Sequence, residues 1–123
     1  MTSVSDIAQG YYVAMGNKNA KDLEKYLHPD IELIAPMGEI TGKERVFDAA
    51  KNFMNIFDSL EIRQTFENNT NSVMIVFDFF CPSPVGKCRT AVMVCVKDNL
   101  IARLEIFYDS EPLRDRRKEI FSL

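Results

Sequence analysis

Residues 72–109 read SVMIVFDFFCPSPVGKCRTAVMVCVKDNLIARLEIFYD and contain three segments rich in β-branched and aromatic residues. A loop at 82–86, with two prolines and a glycine, separates the first two segments, and Asp98-Asn99 separates the last two. A further strand is predicted over residues 60–66, before a polar turn at 68–72. Short connections of this kind join antiparallel neighbours. The second half of the chain is therefore predicted to form a four-strand antiparallel meander.

The first half of the chain has apolar residues at helical spacing. This spacing predicts helices over residues 5–16 and 20–27, and a short strand follows over residues 31–35. A third helix is predicted from Thr41, which begins a capping box, to about Asp58. Helices followed by hairpin-linked strands are typical of an α+β protein with an antiparallel sheet. Helices packed on one side of a bent sheet leave a pocket between the two layers, which is a common ligand site.

Length and composition favour one ordinary globular domain. The chain has 123 residues, of which we assign about 5–113 to the core and 114–123 to a charged tail. A net charge of −3 argues against nucleic acid as a partner, because phosphate binding needs a basic surface. No apolar run approaches the roughly 18 residues of a membrane span, and the N-terminus lacks the pattern of a signal peptide. We therefore expect no membrane partner and a cytoplasmic location.

The cysteines predict neither disulfides nor a metal site. Cys81, Cys88 and Cys95 are an odd count without a secretion signal, which suggests reduced, structural thiols. Their spacing matches no zinc pattern, and the chain has one histidine to assist them. We find no cofactor motif, so any chemistry is expected to be cofactor-free.

Residues 11–38, YYVAMGNKNAKDLEKYLHPDIELIAPMG, resemble the opening of the nuclear transport factor 2-like superfamily, which includes the SnoaL-like proteins and ketosteroid isomerase. The shared marks are an aromatic-bearing first helix, a polar break, a P-D before the first strand and the glycines at 38 and 42. The closing stretch at 101–113, IARLEIFYDSEPL, is also similar to SnoaL-like sequences. The resemblance implies a cone-shaped, cystatin-like α+β barrel, with a curved and mixed sheet around three N-terminal helices. It further implies an internal cavity and a homodimer.

The resemblance to ketosteroid isomerase can be followed residue by residue. Tyr12 matches the tyrosine that donates to the oxyanion in that enzyme. Ala35 stands where the general-base aspartate would be, and Val92 stands near the second acid. Alanine and valine cannot transfer the required proton, so the isomerase mechanism is not expected.

The same resemblance predicts which side of the last strand faces the cavity. Arg103, Glu105 and Phe107 are expected to face inward, with Leu104 and Ile106 outward. Glu105 could then act as a base and Arg103 could hold a carboxylate or enolate. Alternatively, Arg103 and Glu105 form a structural ion pair near the mouth of the pocket.

We expect Tyr12, Glu105 and Arg103 to be the catalytic residues if the protein is an enzyme. Asp78 is expected to point outward, since this places Phe77 and Phe79 in the cavity. The full set of predicted ligand-binding residues is Met15, Leu33, Ala35, Met37, Phe53, Phe57, Phe77, Phe79, Val92 and Phe107.

Two functions stay open at this point. In the first, a SnoaL-like protein acts on a mostly apolar or amphipathic small molecule by acid–base chemistry, as an isomerase, cyclase or hydrolase. In the second, the domain is a non-catalytic ligand-binding or dimerisation module. The homodimer is expected to use the outer sheet face, through Met93, Cys95, Leu104 and Ile106, because so many apolar groups should not remain in water.

Overall fold

The computed structural model describes residues 3–68 and 71–120, and it has the α+β architecture that the sequence predicts. The helices are α1 (Val4–Gly16), α2 (Ala20–Glu24), α3 (Lys43–Met54) and α4 (Arg117–Ile120), the last preceded by a 3₁₀ helix at Glu111–Arg116. The strands are β1 (Leu27–Ala35), β2 (Gly38–Thr41), β3 (Ser59–Glu67), β4 (Ser72–Phe80), β5 (Lys87–Lys97) and β6 (Leu100–Tyr108).

The six strands form one mixed sheet in the order β2-β1-β6-β5-β4-β3. The predicted meander is confirmed, because β3, β4, β5 and β6 pair antiparallel in sequence order. Asp98 and Asn99 both have positive φ, as a tight two-residue hairpin requires. β1 pairs parallel with β6, which makes the sheet mixed, and β2 and β3 are its two unclosed edges. Asn69 and Thr70 of the predicted polar turn lie outside the described residues.

The helices cover one side of the sheet, which we call the inner face. α1 packs on β3, β4 and β6, and α3 packs on β1 and β2. Ser3 caps α1 through a capping box with Asp6, which satisfies backbone donors that would otherwise be unpaired. The opposite side, which we call the outer face, has no helix against it among the described residues. The core therefore lies between α1, α3 and the inner face.

Several elements differ from the prediction: α3 ends at Met54 rather than near Asp58, β1 begins at Leu27 rather than at residue 31, and β2 was not predicted. Tertiary pairing that overrides local signals explains two of the boundaries. The second helix ends at Glu24, and His28-Pro29 lies within β1. The chain is held there by pairing with β6, since the Ile101 amide donates to the Tyr26 carbonyl at 2.7 Å. Likewise, Thr41 does not cap α3, because it pairs with β1 as the last residue of β2.

The predicted orientation of the last strand is wrong. Leu104 and Ile106 lie on the inner face, where Leu104 is 1% exposed, whereas Phe107 on the outer face is 49% exposed. Arg103 and Glu105 lie on the outer face with Phe107, because side chains alternate along a strand. The observed orientation buries aliphatic groups against the helices and leaves the two charges hydrated. Its free energy is lower than that of the opposite orientation, which would bury both charges.

The C-terminal segment is anchored to the core over the part of it that is described. Leu113 and Ile120 are buried in the core. Arg117 Nε donates to the Met37 carbonyl at 2.6 Å, and Asn52 Nδ2 donates to the Ile120 carbonyl at 3.3 Å. Residues 121–123 of the predicted tail lie outside the described residues. Over residues 3–68 and 71–120, no helix has the length and apolar character needed to cross a membrane.

Candidate functional site

A cavity of about 70 Å³ lies between the inner face of the sheet and helices α1 and α3. α1 contributes two adjacent tyrosines and a methionine about one turn further on, and α3 contributes the stripe that faces the sheet. The strands contribute alternate residues, as expected for one face of a sheet. The lining residues are Tyr11, Tyr12, Met15, Leu33, Ala35, Val46, Ala49, Ala50, Phe53, Phe77, Phe79, Thr90, Leu104, Ile106 and Tyr108.

Aromatic rings form much of the cavity wall. Tyr11 and Tyr12 meet edge to face at 5.0 Å, and Tyr12 packs on Phe77 at 4.8 Å between ring centroids. Phe53 meets Phe79 edge to face at 4.9 Å. Offset and edge-to-face contacts of this kind are favourable, so these rings support one another as a preformed wall.

Among residues 3–68 and 71–120, no charged side chain lines the cavity; the polar side chains in the lining are three tyrosines and one threonine. Burial raises the pKa of Tyr11 and Tyr12 well above the ordinary tyrosine value. It also raises the pKa of Tyr108 to about 12. All three phenols are therefore protonated near neutral pH, where each can donate a hydrogen bond but cannot serve as a base.

Thr90 differs from the tyrosines because its hydroxyl is fully enclosed. The residue is 4% exposed, and Oγ1 has no hydrogen-bond partner among the described residues. Its register neighbours across the sheet are Phe77 on β4 and Tyr108 on β6, and both line the cavity. The hydroxyl is thus a buried polar group without a hydrogen-bond partner among the described residues, and it has almost no surface accessible from the cavity.

The structure brings together part of the predicted site. Tyr12 and the predicted ligand-binding residues Met15, Leu33, Ala35, Phe53, Phe77 and Phe79 all line the cavity. Met37, Phe57 and Val92 are buried but line no part of it. Arg103, Glu105 and Phe107 lie on the outer face, so the proposed catalytic set of Tyr12, Glu105 and Arg103 does not converge on one point.

Local contacts explain the three buried residues that miss the cavity. Phe57 follows α3 and packs on Phe53, while the Lys18 ammonium lies 4.7 Å from the centre of its ring. Met37 lies in the turn between β1 and β2, where its carbonyl accepts from Arg117. Val92 is fully buried within the sheet, between Ile75 and Ile106.

Sequence reasoning missed several lining residues, namely Tyr11, Val46, Ala49, Ala50, Thr90, Leu104, Ile106 and Tyr108. The α3 residues could have been found from the helical period that also selects Phe53. Thr90 could have been found because it lies two and four residues before the apolar residues Val92 and Val94, and residues at this spacing share one face of a strand.

Arg103 and Glu105 form an ion pair at 3.5 Å on the outer face, with side chains 44% and 25% exposed. Replacing Arg103 with methionine is expected to change the free energy of unfolding by less than about 1 kcal/mol, because hydrated pairs contribute little. Urea unfolding at neutral pH checks this. A loss on the order of 3 kcal/mol would instead indicate a desolvated pair and contradict the outer-face placement.

Asp78 points away from the cavity, as predicted, but it is buried. Its Oδ2 lies 3.6 Å from Lys87 Nζ and 3.7 Å from Arg63 Nε. The two cations are half-exposed, whereas the Asp78 side chain is 6% exposed. The cations therefore cover the carboxylate on the outer face and compensate its lost hydration.

The cysteines are free thiols, two of them buried. Burial raises the pKa of all three, and that of Cys81 reaches about 11 from 9.0. No group of three or more metal-ligating side chains occurs within residues 3–68 and 71–120.

These raised pKa values predict a loss of stability at alkaline pH. The unfolded chain ionises its thiols near pH 9, before the folded chain does, so unfolding releases protons above that pH. Stability should be complete below pH 9, and Cys81 alone should contribute a loss of about 2 kcal/mol between pH 9 and 11, to which the buried tyrosines add above pH 10. Thermal unfolding of the protein and of Cys81→Ala across this range checks the sign. Between pH 9 and 11, Cys81→Ala should lose less stability than the parent protein does. An equal loss in the two proteins would show that groups other than Cys81 cause it.

Neither a family profile nor a curated protein sequence matches this chain. Solved structures, however, are similar over most of its length. An NTF2-like protein of unknown function from Cytophaga hutchinsonii has 19% identity and a TM-score of 0.80, covering 93% of this chain and 96% of its own. A steroid delta-isomerase from Pseudomonas aeruginosa has 16% identity and a TM-score of 0.79, covering 95% and 88%.

A third similar structure is a hypothetical protein with a ketosteroid isomerase-like fold from Catenulispora acidiphila, in complex with trimethylamine. It has 14% identity and a TM-score of 0.70, and the match covers 85% of each chain. Structural matches at sequence identities this low show a shared fold and do not show a shared activity. The helix-covered mixed sheet and these likenesses agree with the resemblance seen in the sequence: the chain has the nuclear transport factor 2-like fold in its ketosteroid isomerase-like form.

Proposed function

We propose that this protein binds a small, uncharged and mostly apolar molecule in the cavity between α1, α3 and the sheet, without acid–base catalysis. The observation that carries the proposal is the lining, which is apolar except for hydroxyl groups. A charged ligand group would lose its hydration there without gaining an opposite charge. A neutral ligand avoids that cost and buries apolar surface instead.

The absence of a base from the described lining argues against acid–base catalysis. A general base needs a pKa near the working pH and must lie within hydrogen-bond reach of the substrate. Tyr12 is a protonated phenol, Ala35 has no titratable group, and Glu105 lies on the outer face. Of the two functions left open by the sequence, the non-catalytic binding module is therefore favoured.

The size of the cavity limits the part of a ligand that it can hold. An apolar cavity of roughly 150 Å³ in another protein binds benzene or xenon. At about 70 Å³, the cavity suits an atom or group no larger than a small ring, unless Met15 or Phe53 moves. We therefore propose a small molecule, or the end of a longer one.

Binding of xenon and cyclopropane, followed by NMR of the Met15 methyl group, tests the proposal. Both should shift this signal in a saturable manner, because both are neutral and apolar. Ala50→Val, which fills part of the cavity, should weaken binding, whereas the matched substitution Ala91→Val on the outer face should not. Trimethylammonium serves as the cationic probe, because an aromatic wall can also hold a methylated cation. Binding of that cation without the neutral probes, or binding of no probe, would overturn the proposal.

We also propose that a second copy of this chain covers the outer face. Apolar side chains occupy two adjacent register rows there: Phe66, Met74 and Met93 in one, and Val76, Ala91 and Phe107 in the other. Cys95 adjoins the first row, whereas Leu104 and Ile106, which we had included, lie on the inner face. An exposed apolar stripe of this extent is typical of an interface.

The residues at the two ends of the stripe favour a dimer with twofold symmetry. Phe66 on β3 is 55% exposed, and Phe107 on β6 ends the opposite side of the stripe with similar exposure. A twofold rotation can bring Phe66 of each copy against Phe107 of the other, which gives a self-complementary contact.

Sedimentation at micromolar to high micromolar concentration tests the dimer. Met93→Glu should convert it to a monomer, because the new charge would be buried at the centre of the interface. Val13→Glu is the matched control, since Val13 is also exposed but lies on α1. A monomeric parent protein, or a dimer lost only in Val13→Glu, would contradict an interface on the outer face.

A further inference from the structure

We propose that Cys81 and Cys88 are a redox-active pair, which a low-molecular-weight disulfide converts into a disulfide bond beside the loop of the β4–β5 hairpin. This inference goes beyond the proposed binding function and does not depend on it. Its basis is the contact between the two thiols, which the hairpin places side by side.

The pairing of β4 with β5 brings the two cysteines together. Cys88 lies opposite Phe79 in the register of the two strands, and the Cys81 amide donates to the Gly86 carbonyl at 2.9 Å. Cys81 and Cys88 therefore share the inner face with Phe79, because alternate residues of a strand lie on one side. Both residues are buried, and their side chains are hydrogen-bonded to each other, which places the two sulfur atoms in direct contact.

The backbone at Cys81 can bring the two sulfur atoms within bonding distance. Diagonal neighbours inside a regular sheet have α-carbons slightly farther apart than a disulfide allows. Cys81 is not held inside the sheet, because β4 ends at Phe80 and the loop at 82–86 follows. The first three residues of that loop are exposed, so it can shift without disturbing the core.

The hydrogen bond between the thiols gives them different roles. Burial raises the pKa of both, and the hydrogen bond raises the pKa of Cys81 further and lowers that of Cys88. Cys81 is thus the donor and Cys88 the acceptor, and the accepting sulfur is the one favoured as a thiolate. A surface pocket of about 370 Å³, lined also by Lys87, Arg89 and Asp109, adjoins Cys88 and has room for a small disulfide. Cys88 is therefore the attacking residue and Cys81 the resolving one.

The reaction transfers two electrons from the protein to the small disulfide. The Cys88 thiolate attacks one sulfur of the small disulfide, which forms a mixed disulfide and releases one small thiolate. The Cys81 thiolate then attacks Sγ of Cys88, and the second small thiolate leaves. The two protons of the protein thiols end on the two released thiols, so the protein pair is oxidised and the small disulfide is reduced.

The test treats the reduced protein with hydroxyethyl disulfide at mildly alkaline pH, in a Cys95→Ala background that retains only the pair. The intact mass should fall by two hydrogen atoms, peptide mapping should place the bond between Cys81 and Cys88, and excess dithiothreitol should reverse it. Adding Cys81→Ala should stop the reaction at a mixed disulfide on Cys88. Adding Cys88→Ala instead should give the adduct on Cys81 about tenfold more slowly.

Unfolded protein is the control for these rates. In urea, where neither the hydrogen bond nor the pocket is formed, the two variants should react equally fast. A background protein that stays reduced, or that forms disulfides only between chains, would overturn the proposal. A mixed disulfide that persists on Cys88 would also overturn it, because Cys81 would then be unable to resolve it. Equal rates for the two variants in the folded state would overturn the assignment of Cys88 as the attacking residue. None of these results affects the proposed binding function, which is measured with other probes.

Discussion

Replacing Leu104 with alanine should lower the free energy of unfolding by about 3 to 4 kcal/mol, measured by urea denaturation. Leu104 is 1% exposed and lies on the inner face, between Val94 on β5 and Leu33 on β1. Deleting its buried methyl groups removes transfer free energy and enlarges the adjacent cavity, and both effects destabilise the folded state. The same variant should bind a larger ring in the cavity than the parent protein does.

The control for this experiment is the preceding residue on the same strand. Arg103→Met changes a side chain of similar length on the outer face and should cost less than about 1 kcal/mol, measured at a protein concentration at which parent and variant have the same oligomeric state. The contrast between adjacent residues tests the orientation of β6 directly. A small loss for Leu104→Ala together with a large loss for Arg103→Met would show that the strand is turned the other way.

Removing both cations beside Asp78, in Arg63→Met with Lys87→Met, should lower the free energy of unfolding by about 2 kcal/mol at neutral pH. The carboxylate would remain buried with no positive charge to compensate its lost hydration. We expect a smaller loss than the one caused by breaking a fully buried ion pair, because both cations are half-exposed. Thermal or urea unfolding measures it, at a protein concentration at which the parent and the variant have the same oligomeric state.

Adding Asp78→Asn to the variant that lacks both cations should recover most of the lost stability, because the amide has a similar shape and no charge. Recovery identifies the unpaired charge as the cause, rather than lost packing of the long side chains. If the amide recovers nothing, the cations contribute through packing, and the proposed electrostatic role is wrong.

The sequence predicts the three helices, β1 and the meander in the correct order because those signals are local, but it misses β2. Alternating β-branched residues, a loop rich in proline and glycine, and Asp98-Asn99 determine the hairpins with no knowledge of distant contacts. The boundaries that were missed depend on distant partners. Thr41 has the sequence of a helix cap, yet its pairing with β1 holds it in a strand.

The candidate site is predicted less completely, because both faces of β6 carry large apolar residues. Ile106 and Phe107 are neighbours, and local alternation cannot say which of them the helices will cover. The resemblance to a known family predicted the opposite face from the one observed. Tyr12, Phe77 and Phe79 do line the cavity. The family resemblance predicted this for Tyr12, and the outward position of the charged Asp78 predicted it for the two phenylalanines.

The parallel pairing of β1 with β6 has a consequence for how the chain folds as it is synthesised. Leu33 is made early, but its sheet neighbour Leu104 follows 71 residues later. Until β6 emerges from the ribosome, β1 and β2 form an isolated hairpin, and α1 and α3 have only an incomplete sheet on which to pack. Contacts this distant along the chain form slowly, because a long loop must close before they contribute any stability. The nascent chain therefore exposes its apolar helix faces to chaperones for most of its synthesis, and the core closes only when β6 inserts between β1 and β5.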